Sequence, residues 1–289
     1  MFDLVEPLPV LKNPQAVVVL RPWTDAGNSA TLAMSWLESL FSAKQLGKIS
    51  RPGMYFDFTR YRPMARYLAG SREIIVPNTI VTYAQQDSRQ DFVFINMLEP
   101  NMFAEHYIQS VLKLLKILGI RRYCLLGSMY DMVPHTRPLI VTGGATGENA
   151  AEELKHAGVS SSSYEGPTTI CSLITQEAGK MGIETVSMMV RLPQYTQLEK
   201  DYTGQVRLLE VLHGLYGIPI DEEIQRRARQ QVKDIDIEVN RSHKLKEVVN
   251  HLETYYDAQS VTQHKEETPL LSPEVENFLK EMENRFKQD

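Results

Sequence analysis

Short runs of β-branched and aliphatic residues alternate with longer stretches in which apolar side chains return every three or four positions, and this alternation leaves few folds open. Residues 17–20, Val-Val-Val-Leu between Pro14 and Pro22, form the first run. It is too short for a helix and apolar at every position, which suits a strand covered on both faces. Leu32, Ala33, Trp36, Leu37, Leu40 and Phe41 follow at helical spacing, with Asp25 placed to cap the helix and Gly47 expected to close it. Residues 54–58, 73–76 and 92–95 read as further strands, the last ending at Glu99-Pro100. Phe103, Ile108, Val111, Leu112, Leu115 and Leu118 give the next helix one apolar face, with Gly119 just past its end. The pattern then repeats: strands at 123–126 and 139–141, a turn at Gly143-Gly144, helices at 148–156 and 168–181, a strand at 185–190 and a helix at 206–215. The expected fold is α/β, three α/β/α layers around a mainly parallel sheet.

Beyond Asp221 the texture changes. Glutamate, arginine, glutamine and lysine dominate, with Ile224, Ala228, Val232 and Val239 at helical spacing. The expected organisation is an α/β domain over 1–220, a helical extension over 221–257, a polar linker over 258–272 and a terminal amphipathic helix over 273–289. That last helix would carry Val275, Phe278, Leu279, Met282 and Phe286 on one face.

A formal net charge of −5 with both signs interspersed gives no basic face for nucleic acid. No apolar run reaches the roughly 20 residues that span a bilayer, and the first residues, Met1-Phe2-Asp3-Leu4-Val5-Glu6, lack a positive region before an apolar core. A cytoplasmic protein with no nucleic-acid or membrane partner is therefore expected. Cys124 and Cys171 alone make neither a disulfide framework nor a zinc site, and His243, His251 and His264 are scattered. No metal and no cofactor are expected.

Several polar residues fall at the carboxyl ends of the expected strands, where open α/β sheets bind ligands: Arg21, Asp25, Glu99, Ser128, Asp131 and Arg191. They either form a crevice or cap helices. His135 lies four residues after Asp131 and beside Arg137. A carboxylate-oriented imidazole is a usual general base, yet no nucleophile or glycine-x-serine-x-glycine elbow accompanies it. The other possibility is that His135 and Arg137 hold the Pro134–Pro138 turn. Residues 143–149, Gly-Gly-Ala-Thr-Gly-Glu-Asn, either hold an anion or make a plain turn. Arg60, Arg62 and Arg66 either clamp a phosphate or carboxylate, or pair with Asp57 or with carboxylates across a subunit contact.

Four blocks in order carry a resemblance to a known family: Pro22-Trp23-Thr24-Asp25-Ala26-Gly27; Tyr55-Phe56-Asp57-Phe58 with Arg62-Pro63; Asp131-Met132-Val133-Pro134-His135-Thr136-Arg137-Pro138; and Glu165-Gly166-Pro167-Thr168. Together they resemble the PAC2 family, named for a proteasome assembly chaperone. The resemblance implies a three-layer fold similar to that of nucleoside phosphorylases and related hydrolases, with no shared catalytic triad to carry over. It makes Trp23, Asp25, Glu99, His135 and Arg137 fold-block or pocket candidates. Members of the family chaperone proteasome assembly or form homo-oligomers. The long polar helices look like the bacterial branch, whose members are similar to homotrimers. Some archaeal members engage proteasomes through a hydrophobic-tyrosine-x ending; Arg285-Phe286-Lys287-Gln288-Asp289 lacks it, so docking of that kind is not expected. The resulting expectation is a homo-oligomer, with a homotrimer as one form of it, that binds proteins as an assembly-chaperone-like factor without catalysis. The alternative is a nucleoside-like hydrolase or phosphorylase, with Asp25 or Glu99 as acid/base and Arg60 or Arg62 as anion clamp.

Overall fold

Ala16, Val17, Val18, Val19 and Leu20 are all fully buried, as a strand covered on both faces must be. The computed structural model describes residues 1–68, 70–86 and 90–262. In chain order the elements are β1 (Phe2–Leu4), β2 (Gln15–Arg21), α1 (Ser29–Leu40), β3 (Lys44–Ile49), β4 (Met64–Leu68), β5 (Ser71–Ile75), β6 (Ile80–Ala84) and β7 (Phe92–Leu98). There follow α2 (Ala104–Ile117), β8 (Arg122–Asp131), β9 (Val141–Thr146), α3 (Ala150–His156), β10 (Ser160–Ser161) and α4 (Ile170–Lys180). The described chain closes with β11 (Glu184–Pro193), α5 (Tyr202–Tyr216), α6 (Glu222–Arg241) and α7 (His243–Thr262).

Nine strands form one sheet in the order β1-β3-β6-β7-β2-β8-β11-β9-β10. The central four, β7, β2, β8 and β11, run parallel. Antiparallel pairing of β6, β3 and β1 on one side and of β9 against β11 on the other makes the whole sheet mixed. Alternate side chains of β2 feed two cores. Val18 and Leu20 pack with α2 and α4 on one face, while Val17 and Val19 pack with α1, α3 and α5 on the other. That is the expected three-layer arrangement. Burying each large aliphatic side chain contributes about 1.5–3 kcal/mol, so both cores pull on the same central strands. The helix α6 lies along α5, and α7 along α6.

Some local expectations need correction. Residues 54–58 are not a strand: a tight turn over Pro52–Met54 folds the chain back, and Tyr55 and Phe56 become buried plugs beside Tyr107 of α2. Gly47 does not end α1 but lies within β3, where a Cβ would sit 2.4 Å from the Asp3 carbonyl oxygen. The positive φ after α1 is taken by Ser42 instead (φ 49°). Gly143 and Gly144 are not a turn; both lie in β9. Finally, α7 continues to Thr262, so the first residues of the linker expected at 258–272 are helical. The rest of that linker and the terminal helix expected at 273–289 lie outside the described residues.

Candidate functional site

The parallel strands all end on one edge of the sheet, and there the chain parts: β2 leads to α1 on one face and β7 to α2 on the other. Such a switch point is where open α/β sheets leave a crevice. The Glu99 N–H donates to the Arg21 carbonyl (2.9 Å), joining the two strand ends. Tyr61 lies across them, its hydroxyl donating to the Glu99 carbonyl at 3.0 Å. Burial, and then the Glu99 charge, push the Tyr61 phenol up. Arg21 Nε and Thr24 Oγ1 are buried with no hydrogen-bond partner among the described residues.

Asp25 is in the same place but is already committed. Its Oδ1 accepts from the N–H groups of Ala30 (2.9 Å) and Thr31 (3.1 Å), and its Oδ2 from the Thr31 hydroxyl. It caps α1, as expected. Burial nevertheless raises its pKa, against the opposing pull of these hydrogen bonds and of Arg21. A carboxyl whose folded pKa lies above its unfolded value of about 3.8 binds protons more readily when folded. Its contribution to stability therefore grows as pH falls through that window and shrinks as pH rises. Urea midpoints of the wild type should thus gain on those of Asp25→Asn between neutrality and about pH 4. Parallel curves for the two proteins would contradict this assignment.

The 131–138 stretch comes together differently. After β8 the chain loops out, and Asp131 turns inward to close the loop. Its Oδ1 accepts from the Met132 N–H (2.7 Å) and its Oδ2 from Arg191 of β11 (3.0 Å). The His135 N–H donates to the Tyr195 hydroxyl at 2.8 Å. That hydroxyl also lies against His135 Nδ1. The Asp236 carboxylate of α6 can only accept, so the proton between it and the ring lies on Nε2, which donates to it at 3.0 Å. Arg137 makes a forked pair with Asp257 of α7 (2.9 and 2.8 Å) and reaches Glu253 at 3.0 Å. These contacts hold the Asp257 carboxyl below its usual range. Thr136 donates to Glu253, and Tyr256 donates to the Pro138 carbonyl at 2.8 Å. Among the described residues, every polar partner along 135–138 other than Tyr195 belongs to α6 or α7. The stretch is a bracket that seats the C-terminal helices on the sheet.

The structure thus divides the sequence candidates into two groups. Glu99 is tied to Arg21 at the ends of β7 and β2, Asp25 bridges to Ser128 of β8, and Arg21 and Arg60 act on Tyr61. Asp131, His135 and Arg137 form the bracket. Trp23 joins neither and is 64 % exposed; Arg62 is exposed beside Asp57. Sequence reasoning missed Tyr195, Asp236, Glu253, Tyr256 and Asp257. One signal was available: Glu253 and Asp257 stand four apart on a helix, so they share a face that a single arginine fork can span. The Cys124 and Cys171 thiols are free and buried, and burial pushes both up to about 12. Among the described residues no cluster of histidine, cysteine and carboxylates could hold a metal, and no helix is long and apolar enough to cross a membrane.

The PAC2 family model matches residues 19–240. Among solved structures, a protein of unknown function from Corynebacterium glutamicum ATCC 13032 is similar at a TM-score of 0.80 and 19 % identity, over 91 % of this chain and 99 % of that one. That likeness bears on the fold. A PAC2 family protein from Streptomyces avermitilis MA reaches 0.74 at 25 % identity, over 82 % and 99 % of the two chains. A proteasome-assembly chaperone homologue of Mycobacterium tuberculosis reaches 0.71 at 25 % identity, over 81 % and 100 %. No match is found among curated proteins.

Proposed function

Because the chain belongs to the PAC2 family, we propose that it works by binding other proteins, as an assembly-chaperone-like factor of the cytoplasm that associates with copies of itself and catalyses no reaction. The observation that carries this reading is the bracket. His135 and Arg137, the residues best suited by type to acid–base or anion chemistry, are spent on Tyr195, Asp236, Glu253 and Asp257. The likeness to the M. tuberculosis proteasome-assembly chaperone homologue supports the same reading.

The nucleoside-like hydrolase or phosphorylase reading retains one observation in its favour, the unpartnered Arg21 Nε and Thr24 Oγ1 at the switch point. One pair of assays separates the two. Light scattering of the purified protein should give a mass above the 33.0 kDa of one chain. Millimolar phosphate, nucleosides or sugar phosphates should leave the melting temperature unchanged. A monomer whose melting temperature rises by more than about 4 °C with one of these ligands would support the enzyme instead.

A further inference from the structure

At the switch point the chain leaves β2 and β7 through loops that hold large apolar side chains out in solvent. The two strands pair in parallel, Arg21 opposite Leu98. Trp23, just past the end of β2, is 64 % exposed, and Phe103, just past the end of β7, is 61 % exposed. Met102 and Met54 are exposed as well, and the Met102 N–H donates to the Tyr55 carbonyl (3.2 Å), which brings the 52–55 turn to the same edge. Apolar side chains gathered from three loops mark an interaction surface. Phe103 adds a second sign. It opens α2 in the left-handed region, φ 52° and ψ 46°, which a bulky residue rarely adopts. Strained backbone of this kind concentrates at binding and switch regions, and here it carries a solvent-facing ring.

The polar groups of the same edge say what chemistry the occupant brings. Arg21 Nε and Thr24 Oγ1 are buried without a hydrogen-bond partner among the described residues. Both can donate, and a buried donor calls for an acceptor. Arg21 acts through its charge on Asp25 and Tyr61, Arg60 on Tyr61 and Arg62 on Asp57. Yet none of the three arginines makes a side-chain hydrogen bond or ion pair among the described residues. The carboxylates are largely committed, Asp25 to Ala30 and Thr31, Asp57 to Thr59. Glu99 is left against three arginines, so the edge is short of negative charge. Tryptophan and arginine are residue types on which binding energy between proteins concentrates, and a guanidinium holds a carboxylate through a planar fork. An anionic lipid surface fits less well, because Asp25, Asp57 and Glu99 stand at the same edge.

We propose that the mouth at the ends of β2 and β7 docks an acidic, apolar segment of a partner protein: Trp23 and Phe103 cover an aliphatic or aromatic side chain, while Arg21 and the Thr24 hydroxyl hold the carboxylate of a nearby aspartate or glutamate. The proposal rests on the protein-binding function proposed above and gives it a place and a partner chemistry.

Selection of displayed random dodecapeptides on the full-length protein tests it. Enriched sequences should pair an aliphatic or aromatic residue with an aspartate or glutamate. Synthetic copies, capped at both ends so that only side chains supply carboxylates, should bind in fluorescence polarisation. Trp23→Ala and Arg21→Gln should each weaken that binding about 10- to 100-fold. Trp23 is exposed, so its replacement should leave the melting temperature within about 2 °C, and the loss is then read on a folded protein. Enriched peptides that lack an acidic residue, lose affinity on capping, or bind wild type and both variants equally would overturn the site while leaving protein binding standing. No enrichment at all would overturn both. Trp23-dependent sedimentation with phosphatidylserine vesicles would assign the mouth to a lipid surface and overturn the peptide reading.

Discussion

Replacing His135 with alanine is expected to destabilise the fold by about 2–4 kcal/mol, a large effect for a side chain in a loop. The imidazole is nearly buried, with 3 % of its side chain exposed, and it bridges Tyr195 on one side and Asp236 on the other. Alanine leaves a cavity where the ring packs edge-on against Tyr195, at 5.7 Å between centroids. It also takes from the buried Tyr195 hydroxyl its contact with the ring, leaving it only the backbone N–H of residue 135; burial holds that phenol well above its usual range. For a chain of this size the melting temperature should fall by roughly 4–12 °C. A histidine that served only as an acid or base would behave otherwise: its removal would leave the melting temperature within about a degree, since surface substitutions usually lie within about 0.5 kcal/mol.

Substituting Gly143 with valine should be at least as damaging, with a loss of roughly 3 kcal/mol or more. Gly143 pairs with Met188 in the antiparallel β9–β11 ladder. A Cβ there would sit 1.9 Å from the Ser187 carbonyl oxygen and 3.2 Å from Val159. The Ser187 carbonyl is backbone in a core strand, so it cannot rotate away as a flexible side chain would. The neighbouring glycine provides the control. A Cβ on Gly144 meets nothing within 4 Å, and Gly144→Ala should change the urea midpoint by less than about 0.5 kcal/mol equivalent. If both glycines tolerate substitution equally, the close approach of β9 to β11 is wrong.

The same glycine pair shows where the sequence could be read and where it could not. Residues 17–20 and 123–126 announced themselves because strands buried on both faces must be apolar at every position, and they became the centre of the sheet. Lys44-Gln45-Leu46-Gly47-Lys48-Ile49 has two lysines and a glycine that reads as the stop of the preceding helix, and so gives no strand signal for β3. Gly143-Gly144 reads as a turn in the sequence because glycine serves open turns and tight strand packing alike. Only the tertiary neighbour, Ser187, decides between them. The helices α6 and α7 were legible from periodicity, but their destination was not. His135 and Asp236 are 101 residues apart, and Arg137 and Asp257 are 120 apart. Local spacing carries no record of pairings at that distance. The 131–138 block therefore looked like a site with an acid, a base and a cation, when its partners were the means of seating two helices. Asp25 was the opposite case: its capping partners lie within six residues, and the expected cap is present.

Hydrogen exchange on the double variant His135→Ala with Arg137→Ala tests the bracket most directly. The account predicts that amides of α6 and α7 exchange roughly tenfold faster or more, while those of 17–20 and 124–126 in the central strands keep their protection. Unchanged protection across both helices, or an equal loss everywhere, would contradict it.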